Sequence, residues 1–163
     1  MRFSALLLGF FLWHSTSFAQ RVHMPDLFQC LSTSADKFDA CMFREGFVCY
    51  KSSGGLNGWT CLFAYQPTPY IQDPSQSLAL IQYDRNSRSD ILTYQVQSKE
   101  QYETLRAELI KLGYQIDPVT TDRQLFTSAK AANTIVTCQP VWSGNGMSGN
   151  YTGYLFTLTH RRY

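Results

Sequence analysis

Tyr102, Leu105, Leu109 and Leu112 recur at helical spacing behind Ser98 and Gln101, which form a capping-box pattern. Lys111 and Gly113 close the same stretch with a C-terminal cation and a left-handed cap, so the pattern predicts a helix that stops at Gly113. Ile91 to Val96 ahead of it is rich in strand formers, and Tyr114 to Asp117, Gln124 to Ser128, Thr134 to Val141 and Tyr151 to His160 read as strands behind it. In the first half, a shorter helix over about residues 35 to 45 turns Phe38, Cys41 and Met42 inward and stops at Gly46. Phe47 to Lys51, the turn SSGGLNG and Trp59 to Tyr65 read as a hairpin, and Leu78 to Asp84 follows the proline-rich connection QPTPYIQDP.

The two halves echo one another. Residues 26 to 43, DLFQCLSTSADKFDACMF, lie without a gap over residues 90 to 107, DILTYQVQSKEQYETLRA. Asp26 meets Asp90, Ser34 meets Ser98, and Phe38 meets Tyr102. After a deletion close to one helical turn, which keeps the same face inward, Gly46-Phe47 meets Gly113-Tyr114. The acid pairs Asp36/Asp39 and Glu100/Glu103 then fall in first helical turns, where the helix dipole favours anions. By this overlay residues 27 to 32 begin the first copy as a strand, as Ile91 to Val96 begins the second.

The expected fold is α+β: two tandem β-α-β-β(-β) units, residues 26–85 and 90–161, forming a largely antiparallel sheet with two helices packed on one face. In outline this is similar to duplicated one-helix, several-strand folds such as the saddle of the TATA-binding protein or the tandem units of the β-lactamase inhibitory protein. Neither family's functional motif occurs in the sequence, so the similarity assigns no residue and no activity.

The N-terminus changes the picture of where this fold works. Arg2, the apolar run LLLGFFLW and the small residues of Ser17-Phe18-Ala19 have the form of a secretory signal peptide over residues 1–19, cleaved before Gln20. The run is too short to span a bilayer with any margin, and no second apolar span follows. Residues 20–163 are then a single mature domain, secreted or periplasmic. The formal charge is +2, one unit of it from Arg2, which offers no electrostatic reason to expect nucleic acid or an anionic membrane as partner. Aromatic residues at 15% and apolar residues at 44% belong to a folding composition rather than a disordered one.

All five cysteines lie in the mature part, where export favours disulfides, and their spacing lacks the short CxxC knuckles of structural zinc sites. Cys49 and Cys61 flank the SSGGLNG turn about equally, and Cys30 and Cys41 sit where the other copy has Tyr94 and Leu105. Those correspondences predict Cys30–Cys41 and Cys49–Cys61 bridges and a free thiol at Cys138, although a bridge from Cys138 to one of the others is equally allowed by geometry.

Catalytic patterns are sparse. No GxSxG elbow, HExxH or phosphate loop occurs, and beyond the leader only His23 and His160 are available as bases. No metal or cofactor is implied. The loop WSGNGMSGNY, residues 142 to 151, is the best candidate contact surface: glycine-rich, yet bearing Trp142, Asn145, Met147 and Tyr151. Asn150-Tyr151-Thr152 is also a glycosylation sequon. The leading expectation is a non-catalytic binding module, of inhibitor or envelope-accessory type, that presents glycine-rich loops or an aromatic sheet face to a protein partner. The alternatives are a carrier of a small apolar ligand in a cavity between helices and sheet, and a thiol-dependent enzyme using Cys138.

Overall fold

Pro25 stands in the first turn of an N-terminal helix, where its missing N–H costs nothing, and Met24, Leu27, Cys30 and Leu31 follow at helical spacing and are buried. This helix, α1 (Met24–Leu31), occupies the stretch that the internal overlay reads as a strand. The computed structural model describes residues 22–55, 58–65, 80–117, 123–141 and 153–162. Among them are three helices and eight strands, an α+β architecture dominated by one antiparallel sheet.

After α1 come α2 (Ala35–Arg44), β1 (Phe47–Gly55), β2 (Gly58–Tyr65), β3 (Leu80–Asn86) and β4 (Ser89–Val96). The chain continues with α3 (Lys99–Lys111), β5 (Gln115–Asp117), β6 (Gln124–Thr127), β7 (Thr134–Val141) and β8 (Gly153–Arg161). The sheet order is β1-β2-β3-β4-β8-β7-β6-β5, so each four-strand run forms a meander and the two meet where β4 pairs antiparallel with β8. Ile91 to Val96, within β4, therefore both closes the first meander and pairs with β8 of the second.

The helix ends follow the local chemistry. Ser98 Oγ accepts the Gln101 N–H at 3.0 Å, as a capping residue should, while the Gln101 amide donates to Tyr94 Oη at 2.6 Å. Gly46 and Gly113 both adopt positive φ, 83° and 87°, the backbone region where a Cβ is penalised. Each lets the chain leave a helix and enter a strand. In the hairpin Ser52 to Gly55 belongs to β1, with Gly55 opposite Gly58, so the turn is tighter than the SSGGLNG run suggests.

Side chains two residues apart on a strand share a face, and here the registers align them into rows. Cys61, Tyr83, Leu92, Leu158, Val136 and Phe126 stand opposite one another from β2 across to β6, and all are buried. Phe63, Ile81, Tyr94, Phe156 and Cys138 form the next row on the same face. All three helices pack there and join one apolar cluster. Phe38 of α2 stacks on Tyr83 with centroids 3.7 Å apart, and Tyr102 of α3 stacks on Tyr154 at 4.2 Å. The aromatic face of the sheet is thus covered by helices and is not a presented surface. The opposite face carries threonines, glutamines and Asp84, whose carboxylate accepts from Thr60 Oγ1 at 2.6 Å and from Gln82 Nε2 at 2.7 Å. A separate small buried pair, Val141 and Leu155, lies on that second face.

Cys30 and Cys41 are bonded with Cα atoms 5.5 Å apart, and Cys49 and Cys61 with Cα atoms 6.1 Å apart. The first bridge joins helix to helix, α1 to α2, where the overlay predicts strand to helix. The second runs diagonally, because a bulge between Cys49 and Lys51 places Cys49 opposite Phe63 and Cys61 opposite Ser52. No helix among the described residues is long and apolar enough to cross a membrane.

Candidate functional site

The loop residues Trp142, Asn145, Met147 and Tyr151 lie outside the described residues. Cys138 is described, and its surroundings oppose nucleophilic chemistry. It is free but only 2% exposed, opposite Phe156 on β8 and Gln124 on β6, and burial pushes its thiol up to about 12. His160 is on the neighbouring strand but opposite Thr134, four positions along from Cys138, roughly 13 Å at strand rise. That separation puts the imidazole out of reach of the sulfur.

His23 is not part of a loose start. Its Nδ1 lies 2.5 Å from Glu108 Oε1, while the Met24 N–H donates to Glu108 Oε2 at 2.8 Å. The carboxylate of α3 thereby caps the N-terminus of α1.

A further row on the helix-bearing face is polar. Trp59, Arg85, Asp90, His160 and Thr134 stand opposite one another across β2, β3, β4, β8 and β7, two residues along from the apolar row of Tyr83 and Leu92. Asp90 is 3% exposed. Tyr83 Oη donates to its Oδ1 at 3.1 Å, Arg85 Nε lies 3.7 Å from Oδ1, and Arg162 Nε lies 3.4 Å from Oδ2. Neither arginine contact is a well-aligned hydrogen bond: Arg85 Nη1 and Arg162 Nε are buried without a hydrogen-bond partner among the described residues. Burial first, and then the Asp90 carboxylate, push the Tyr83 phenol well above its ordinary range, so it remains a donor. One buried anion thus faces two cations.

Beside this row lies an open groove of about 480 Å³ between α1, the end of α3 and the ends of β7 and β8. Phe28, Leu31, Leu112 and Tyr114 supply apolar walls, with Phe28 and Tyr114 stacked at 5.4 Å. Thr134 and His160 supply the polar end, the Thr134 hydroxyl 2.9 Å from His160 Nδ1. A second cavity, near Val22, Ser98 and Leu105, is only about 50 Å³. That holds a water or two and no organic ligand. Among the described residues no group of His, Cys, Asp and Glu side chains is gathered as metal ligands.

This polar row is the feature that sequence reasoning misses. One signal for it exists: Asp90 shares parity with Leu92 and Tyr94, so alternation alone places a charge on the inward face, where carboxylates are rare unless paired. His160 and Arg162 join it only through the β4–β8 register.

No family model matches the chain, no curated protein matches it, and no solved structure matches it.

Proposed function

We propose that the protein is a non-catalytic binding module that takes a small, largely apolar ligand into the groove between α1 and the β7–β8 end of the sheet. The observation that carries this reading is the groove itself. At about 480 Å³, with apolar walls and a few polar groups at one end, it falls within the range and composition of small-molecule sites. It is also framed by α1, which the Cys30–Cys41 bridge and the Glu108 cap hold in place. We read the chain as exported, secreted or periplasmic after cleavage before Gln20, because paired cysteines persist in oxidising compartments. The successive helix-and-meander stretches, residues 35–96 and 99–161, we take as tandem units, a frame that leaves α1 outside the repeat.

The test is an amide NMR titration of the mature chain with decanol, a neutral apolar probe. The reading expects saturable shifts confined to Phe28, Leu112, Tyr114 and Ala131. No saturable shift there, or shifts only elsewhere, would remove the groove as the site.

A further inference from the structure

We infer that the ligand of this groove is an amphiphilic carboxylate, with its tail between Phe28, Leu31 and Leu112 and its anionic head held by His160 and Arg162. The inference rests on the groove reading and adds the chemistry of the ligand.

Charge comes first. Asp90 is the one acidic side chain in the polar row, and it is shared by Arg85 and Arg162. The corner therefore keeps a net positive charge, to which exposed Arg88 adds, its backbone carbonyl accepting the Arg162 N–H. The Asp90 side chain is 5% exposed, but those of Arg85 and Arg162 are 28% and 30% exposed, so a ligand can reach the cations and not the anion.

Donor capacity comes next. Arg85 and Arg162 both approach Asp90 through Nε and form no well-aligned fork with it, and Arg162 Nε is buried without a hydrogen-bond partner among the described residues. A buried donor left unmatched carries a desolvation cost that a second carboxylate would relieve. The Thr134 hydroxyl engages Nδ1 of His160 at 2.9 Å, which leaves Nε2 as the ring nitrogen for a ligand; in the tautomer where the hydroxyl donates, the ring proton sits on Nε2 and His160 is a donor at the groove's polar end.

Placement joins the two. His160 lines the groove and stands directly opposite Asp90, while Arg162 follows two residues on and reaches the same carboxylate. An oxyanion at the groove's end therefore meets His160 first and Arg162, two residues further along the chain, next. An apolar wall with donors at a single end selects a molecule with one charged terminus.

The experiment compares decanoate with decanol on the mature chain by calorimetry near pH 7, below the micelle range. Decanoate is expected to bind at least about tenfold tighter than decanol, the scale of one charge-assisted contact. Its affinity should fall as salt rises from about 20 to about 500 mM, while that of decanol should not. In Arg162→Gln and His160→Phe the preference for decanoate should shrink to within about twofold, with decanol affinity kept. The salt series needs no variant and so stands if either substitution unfolds the protein. Equal binding of the two probes, or a salt-independent decanoate affinity, would overturn the anionic head and leave the groove reading intact. Failure of both probes to bind would overturn both.

Discussion

Glu108, near the end of α3, accepts the backbone N–H of Met24 at the start of α1, 84 residues away in sequence, with a 2.8 Å hydrogen bond. A helix N-terminus presents unpaired N–H groups and a positive dipole end, and here another helix's carboxylate satisfies them. Glu108→Ala is expected to cost about 1–2 kcal/mol, the scale of a lost cap. Glu108→Gln should recover part of that loss. Urea unfolding measures both, and a wild-type midpoint in Glu108→Ala would contradict the capping role.

The Cys30–Cys41 bridge closes a separation of 11 residues and ties α1 to α2. Removing both cysteines as serines should destabilise by about 3 kcal/mol in the loop-entropy account. Hydrogen exchange should quicken first in α1, which then keeps only the Glu108 cap, the Phe28–Tyr114 stack and its apolar packing. Uniform loss of protection across the sheet instead would show that α1 is not a separable element.

Phe38 is fully buried, stacked on Tyr83 and edge-on to Phe63, whereas Phe43 on the same helix is 68% exposed. Phe38→Ala should cost about 3–5 kcal/mol and Phe43→Ala less than about 0.5 kcal/mol. Comparable losses from the two would contradict the orientation of α2.

Burial holds the Cys138 thiol at about 12, above its ordinary 9.0, so the fold favours the neutral form. The sign follows from linkage. The stabilisation is complete below the unfolded thiol's value, and it is lost as pH rises through the window from 9.0 to about 12. Cys138→Ala should flatten that alkaline decline without abolishing it, because buried Tyr83 and Tyr114 are displaced in the same direction. In the folded protein near pH 8, iodoacetamide should modify Cys138 no faster than the protein unfolds. Rapid modification with the fold intact would restore the thiol-enzyme alternative.

What was legible in the sequence is what depends on neighbours along the chain. The caps at Ser98, Gly46 and Gly113, the inward stripes of α2 and α3, and the span of β7 all depend on short-range pattern. Both bridges could be read as well, since each joins consecutive elements. The overlay of residues 27 to 32 on Ile91 to Val96 led to a strand where α1 forms. Pro25 and the spacing of Leu27, Cys30 and Leu31 already signalled a helix, and local period wins over a similarity of sequence. The polar row could not be assembled in advance because Asp90 meets His160, and His160 meets Thr134, only through registers between distant strands. The groove depends on where α1 docks, which no local pattern encodes.

The account's central claim is that the groove beside His160 holds a small molecule. Its most direct test is native mass spectrometry of the protein isolated from its own source, beside Gln29→Trp prepared identically. Gln29 is an exposed rim position of α1, where an indole fills the groove without entering the core. The account predicts a retained small-molecule mass on the wild-type chain and its loss in Gln29→Trp. A wild-type protein carrying no added mass, or one whose added mass persists unchanged in the variant, would contradict it.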